Sequence, residues 1–309
     1  MTLQQLEYIL ALNQFRHFGK AAEHCGVTQP TLSALIQKLE EELDIRIFDR
    51  TRQSVSPTPA GRLILGQARQ VLAEAARIKE MVAEERQALT GTFTLGILPT
   101  IAPYLLPRFF PQLMKQHPQL DIRVTEMKTA AIKQALANEE IDAGIVAALD
   151  GMDNFAQTPL FYEQFYAYVA REDELFSRET IRTADLAGTQ LWLLDEGHCF
   201  RDQLVRFCQL KSAQTSQMVY HLGSMETFMR MVEGGKGVTF IPELAISQLS
   251  ETQHELVRPF AVPRPTRQIV MLTSKDFIRR TLLDILRQAI QAAVPAEMLS
   301  PKQIGRAHV

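Results

Sequence analysis

The sequence predicts an α/β protein preceded by a small all-α winged helix-turn-helix and a linker helix, with a two-lobed, Rossmann-like domain behind them. Three observations predict it. The first sixty residues carry apolar residues at helical spacing, broken by tight turns. A single long helical pattern then runs from Thr58 to about Leu89, and from Thr92 onward strand and helix patterns alternate.

Leu3, Leu6, Ile9 and Leu10 repeat at helical spacing, and 18–25 gives a second short helix containing Ala21 and Ala22. Gly26-Val27 makes a tight turn, and Thr28 is placed to cap a third helix. Pro30 falls in that helix's first turn, where a missing N–H does no harm. Leu32, Leu35, Ile36, Leu39 and Leu43 form its apolar stripe, with Ser33, Ala34, Gln37, Lys38 and Glu41 on the opposite face. Two helices joined by a short Gly-containing turn, the second with small polar residues outward, describe a helix-turn-helix. The segment 44–57, holding Arg46, Arg50 and Arg52, is expected to form the two-stranded wing.

Thr58-Pro59 starts the next helix with an N-cap and an N1 proline. At 1.5 Å per residue it would span roughly 45 Å. Ala68, Leu72, Ala75, Ile78, Val82 and Leu89 lie near one seam, the narrow stripe of a coiled-coil-like dimer contact. Thr90-Gly91 is its expected stop.

Strands at 92–98, 121–127 and 141–147 alternate with helices at 103–116 and 130–138, the pattern of a parallel sheet covered on both faces. A second set begins near Phe165 and includes 190–195, 200–210, 224–233 and 237–242. The strand 267–273 and the helix 277–292 return to the first lobe. The expected domains are 1–58 for the winged helix-turn-helix, 59–90 for the linker and dimerisation helix, and 91–300 for the regulatory domain. Within the last, lobe I takes about 91–164 plus 266–300 and lobe II about 165–265, enclosing a crevice where ligands bind.

The composition, 46% hydrophobic and 22% charged, is that of a water-soluble globular protein. The N-terminus lacks a signal-peptide pattern, and no stretch approaches the roughly 18 consecutive apolar residues of a membrane helix, so a cytoplasmic location is expected. A net charge of −2 excludes a strongly basic nucleic-acid binder while allowing a local basic patch. Three cysteines are too few for a disulfide framework, so any disulfide would be transient and regulatory. Cys25 is expected as a small buried core residue. Gly305 to Val309 follows no pattern.

The ordered series Leu6-Glu7-Tyr8, Phe18-Gly19-Lys20-Ala21-Ala22-Glu23 and Val27-Thr28-Gln29-Pro30-Thr31-Leu32-Ser33 resembles the LysR-type transcription regulators. So do 36–43, Ile47-Phe48-Asp49-Arg50 and Thr58-Pro59-Ala60-Gly61. The resemblance covers essentially the whole chain. It implies a DNA-binding winged module, a dimerising linker helix and a periplasmic-binding-protein-like effector domain. Gln29, Pro30, Thr31, Ser33, Gln37 and Lys38 would then meet the groove and phosphates, with Arg50 and Arg52 on the wing. Residues 1–56 hold six Lys+Arg against seven Asp+Glu, so affinity must come from a few placed residues and from dimer avidity.

Within that family, Asp195-Glu196-Gly197-His198-Cys199-Phe200-Arg201-Asp202-Gln203 followed by Cys208 resembles the redox segment of the peroxide-sensing members. Thr100 and Thr129 match positions lining their peroxide pocket, and Arg267 resembles an arginine near the sensing cysteine. His198, Arg201, Asp202 and Ser224 are expected to complete the lining. Cys199 opens the helix expected at 200–210, where terminal N–H groups favour a thiolate. A thiolate attacks peroxide to give sulfenic acid, which a second thiol traps. The resemblance makes that thiol Cys208. Nine residues of intact helix is roughly 13 Å, twice what a disulfide tolerates, so bonding would require the helix to unwind. That supplies a two-state element. On their own, Cys199 would be an ordinary loop residue and Thr100 and Thr129 helix caps.

These expectations describe a regulator, not an enzyme, with no cofactor and no metal. Its partners would be double-stranded promoter DNA, RNA polymerase, hydrogen peroxide as effector, a second copy in a dimer or tetramer, and a reductant such as glutaredoxin or thioredoxin. No membrane is involved. One alternative replaces the redox switch with a metabolite in the crevice. A thiol peroxidase would have no use for the N-terminal module, and a solute-binding protein would need a signal peptide.

Overall fold

Capping chemistry sets the first helix boundaries. In the computed structural model, which describes residues 1–49, 55–85, 91–149, 151–194 and 224–300, the chain forms two compact units, Met1–Ala88 and Leu89–Val309. Helix α1 (Leu3–Phe15) begins in a capping box: the Thr2 hydroxyl accepts from Gln5 N at 3.2 Å, and Gln5 Oε1 accepts from Thr2 N at 2.9 Å. Helix α2 (Phe18–His24) is capped by His17, whose Nδ1 accepts from Gly19 N and Lys20 N. Helix α3 (Gln29–Glu42) is capped by Thr28 as expected, with Thr31 N donating to its hydroxyl.

Leu32, Ile36 and Leu39 of α3 bury against Leu6, Ile9, Leu12, Ala21 and Ala22. Leu35 and Leu43, expected in the same stripe, lie at its edges and are only half-buried. Cys25, at the end of α2, is likewise half-buried and not a full core residue, because α2 is only seven residues long and its C-terminal turn reaches the surface. The wing strands β1 (Phe48–Asp49) and β2 (Ser56–Pro57) pair antiparallel. Glu40 ties α3 to the wing, its Oε1 accepting from Ile47 N at 2.8 Å and Phe48 N at 3.1 Å.

Helix α4 (Pro59–Glu85) starts where the sequence places it: Thr58 Oγ1 accepts from Gly61 N at 2.9 Å and donates to the Arg46 carbonyl at 2.7 Å. Its two halves differ. Leu65 and Ala68 are buried against the α1–α3 core with Val71 and Leu72 packed beside them, whereas Ile78 and Val82 are 66% and 45% exposed. Leu89 and Thr90 lie outside the described residues. Gly91 is the first residue of the next strand, at φ +88.

In the second unit, β3 (Gly91–Ile97) pairs parallel with β4 (Leu120–Glu126) and with β5 (Ala143–Ala147). The crossovers are α5 (Ala102–Gln116) and α6 (Thr129–Ala137). The sheet is not parallel throughout. Strand β9 (Thr266–Thr273) runs antiparallel to β5, and β6 (Ala156–Val169) antiparallel to β9, giving the order β4-β3-β5-β9-β6, followed by β7 (Val238–Pro242), with β8 (Val257–Pro259) also on β6.

Strand β6 has 14 residues and serves two neighbourhoods. Its first part, from Ala156 to Gln164, pairs with β9; its second, from Phe165 to Val169, pairs with β7 (Val238–Pro242) and β8 (Val257–Pro259). The second set of elements thus begins inside one continuous strand. Helix α7 (Met225–Glu233) precedes β7, the short helices α8 (Glu243–Ile246) and α9 (Glu251–His254) follow it, and α10 (Arg280–Ala292) closes the unit. Helix α10 begins three residues later than Phe277, because 274–277 form a turn and Arg279 donates to the Thr92 carbonyl at 2.9 Å. Of 190–195, the described part makes only a single bridge, Leu191 to Val238.

Candidate functional site

Parallel strands direct the loops at their C-terminal ends to one edge of the sheet, where α/β proteins place their ligands. Ile97 and Glu126 are register partners on β3 and β4, and Met127 N donates to the Ile97 carbonyl at 2.9 Å. Thr100 and Thr129 each follow that level by three residues, at equivalent places beyond adjacent strand ends.

Thr100 is 4% exposed and bound by an arginine. Arg267 Nη1 donates to Thr100 Oγ1 at 3.1 Å, and Nη2 donates to the Thr100 carbonyl at 3.1 Å. The guanidinium is wholly buried, its carbon 5.4 Å from the centroid of the Phe165 ring. Its charge is met by Glu163, whose Oε2 accepts from Nε at 2.8 Å and lies 2.7 Å from Nη2. Arg267 reaches Thr100 from β9 because the strand alternation turns Arg267, Ile269 and Met271 to the same face. Thr100 precedes α5 without capping it: the N-cap is Ile101, with no side-chain cap bond.

Thr129 Oγ1 is buried and has no hydrogen-bond partner among the described residues. It does not cap α6 either, since the capping position is Lys128 and no side chain closes it. A buried unpaired hydroxyl costs roughly 1–3 kcal/mol unless something fills its valence. Among the described residues, Thr100 thus offers a pinned hydroxyl and Thr129 one without a partner, suited to a small ligand that both donates and accepts hydrogen bonds.

Ser224 is exposed at the N-cap of α7 and makes no side-chain cap bond. His198, Cys199, Arg201, Asp202 and Cys208 lie outside the described residues.

Two features were not legible as site residues in the sequence. Glu163 is one; its signal is an acidic residue at an inward position of a strand, between Phe161 and Phe165. The other is Tyr104, whose hydroxyl donates to Glu226 Oε1 at 3.2 Å with Met225 Sδ at 3.5 Å, joining α5 to the start of α7. Burial, and then the Glu226 carboxylate, holds the Tyr104 phenol protonated well above the usual tyrosine range.

In the first unit, Gln29, Pro30 and Thr31 are exposed on the opening turn of α3, Ser33 is half-buried, and Gln37 and Lys38 are exposed further along. Gln37 is engaged, its Nε2 donating to Glu41 Oε1 at 2.8 Å. Arg16, Lys20 and Arg46 add exposed cations; Arg50 and Arg52 lie outside the described residues. Burial, and then Glu7, pushes the Cys25 thiol pKa up, which disfavours its thiolate.

The family model for the bacterial regulatory helix-turn-helix protein, lysR family, matches residues 3–62, and that for the LysR substrate binding domain matches 86–295. A hydrogen peroxide-inducible genes activator of Dickeya chrysanthemi is 36% identical over 272 residues, 88% of this chain and 89% of its own. The crystal structure of OxyR from Porphyromonas gingivalis is 48% identical with a TM-score of 0.64, covering 68% of this chain and 96% of that one. A full-length OxyR variant from Pseudomonas aeruginosa is 34% identical with a TM-score of 0.76, covering 94% and 98%.

Proposed function

We propose that this chain, which belongs to the LysR family of bacterial transcription regulators, senses hydrogen peroxide and activates antioxidant genes through a reversible Cys199–Cys208 disulfide. The observation that carries the reading is the pair of hydroxyls beyond β3 and β4, Thr100 pinned by Arg267 and Thr129 buried without a partner among the described residues. Hydrogen peroxide is a small molecule that both donates and accepts hydrogen bonds, as such a pair of hydroxyls calls for.

Peroxide docks at Thr100 and Thr129, with His198, Arg201, Asp202 and Ser224 completing the lining. The Cys199 thiolate attacks one oxygen, and the sulfenic acid condenses with the Cys208 thiol to a disulfide and water. The changed effector domain alters contacts between copies, which meet through the exposed apolar face of α4 at Ile78, Met81 and Val82. The winged modules read promoter DNA with Gln29, Pro30, Thr31, Ser33, Gln37 and Lys38, and grip phosphate with Arg50 and Arg52. Activation passes through RNA polymerase, and glutaredoxin or thioredoxin resets the disulfide. The working domains are 1–58, 59–90 and 91–300, acting in the cytoplasm without a cofactor.

The test is fluorescence anisotropy of the full chain on DNA from upstream of its own gene, before and after peroxide. The expected result is a peroxide-dependent change in binding that disappears in Cys208→Ser. A Cys208→Ser protein that responds normally would replace the redox switch with a metabolite in the crevice.

A further inference from the structure

Arginine has no acceptor, so every hydrogen bond at its guanidinium fixes the direction of a donor. Arg267 Nη1 donates to Thr100 Oγ1, which makes that oxygen an acceptor there and turns the threonine's own hydrogen to a different partner. The threonine is thereby set as a donor, and one that already accepts a charged N–H donates more strongly. How well it is set depends on what holds the guanidinium.

Glu163 holds it. The two residues are register partners on the β6–β9 ladder, and their side chains are 2% and 0% exposed. Glu163 Oε2 meets Nε and Nη2, one edge of a planar group, so fixing that edge aims the adjoining edge, Nη2 and Nη1, at the Thr100 carbonyl and hydroxyl. The carboxylate is itself fixed: its other oxygen, Oε1, accepts from Leu244 N at 3.2 Å, at the start of α8.

The geometry points to Glu163 as the positioning residue of peroxide sensing, acting through Arg267 on Thr100; this rests on the peroxide reading given above. In the step concerned, the sulfur of the Cys199 thiolate donates an electron pair to one peroxide oxygen. The S–O bond forms as the O–O bond breaks, giving S–OH and hydroxide; sulfur is oxidised and peroxide reduced. Negative charge develops on the departing oxygen, where the Thr100 O–H donates. Loss of a donor aimed at developing charge slows such steps by roughly 10²–10³, and loosening one sets a smaller penalty, about tenfold.

The experiment measures two rate constants in the full chain, for Cys199 oxidation by hydrogen peroxide and for Cys199 alkylation by iodoacetamide, both read by mass mapping. Alkylation expels iodide and develops no charge on oxygen. In Glu163→Gln, peroxide oxidation should fall about tenfold while alkylation changes less than about twofold. Adding Thr100→Val should then slow oxidation much less than it does in the wild type, since both act on one donor. Glu163→Asp keeps a charge opposite Arg267 if the glutamine variant does not fold, and its peroxide-to-alkylation ratio should also fall, by about threefold. Equal ratios in wild type and variants, or fully additive effects of Glu163→Gln and Thr100→Val, would overturn the positioning role while leaving peroxide sensing intact. A wild-type chain that peroxide does not oxidise would remove the peroxide reading and this role together.

Discussion

Gly61 sits against the backbone of Ile47 so closely that a Cβ on the glycine would lie 2.0 Å from the Ile47 carbonyl oxygen. That oxygen already accepts from Thr58 N at 2.9 Å, which fixes it in place. Because the obstacle is backbone, a side chain cannot swing aside to relieve it. Gly61→Ala should cost the winged module about 1–3 kcal/mol, as overpacking does. Denaturant melts of the full chain, followed by a probe in residues 1–58, would show the loss, and promoter affinity should fall with it.

Thr58 caps α4 and bonds the wing, so its hydroxyl and not its methyl is expected to matter. Thr58→Ala should lose about 1 kcal/mol of stability. Thr58→Ser should lose markedly less. Equal losses in the two melts would mean that packing of the methyl group dominates.

Asp142 joins β5 to β3: its Oδ2 accepts from both Thr94 N and Thr94 Oγ1 at 2.6 Å. Asp142→Ala leaves a half-buried amide and hydroxyl without that acceptor. A loss of about 1.5–3 kcal/mol is expected from bonds to a charged group, measured as a lower denaturant midpoint for the regulatory domain. The DNA-binding module should melt as before.

Glu243 gives a pH signature. Burial raises its carboxyl pKa; the bond from Gln164 N opposes this, and the nearby Glu163 adds to the rise. A raised folded pKa favours the protonated folded state, so this contribution is full below the unfolded value of about 4.3. It is lost as pH rises through the folded value. Glu243→Gln removes the dependence, and its stability relative to wild type should improve as pH rises from about 4 to 7. A difference that stays flat or shrinks over that range would contradict the assignment.

Local signals made most elements legible. Thr28 and Thr58 announce α3 and α4 through oxygen atoms that accept backbone N–H groups within three residues. The alternation of β3, α5, β4, α6 and β5 follows from periodicity. What was not legible is non-local. The sequence starts the second set near Phe165, but it does not show that one strand continues through this point and changes partner there, because strand pairing depends on β7, β8 and β9, the last more than a hundred residues away. Thr100 and Arg267 are legible as site residues through the family resemblance, but their bond to each other is not, and Glu163 becomes visible only when β6 and β9 are aligned. Ser224, a small polar residue before a helix, stands exposed at the N-cap of α7.

Thiol counting with peptide mapping, before and after about one equivalent of hydrogen peroxide, tests the proposed Cys199–Cys208 switch. Cys25, whose thiol burial holds protonated, should stay free. Two thiols should be lost and a single cross-linked peptide joining Cys199 to Cys208 should appear. Cys199 and Cys208 both remaining reduced at micromolar peroxide would contradict it.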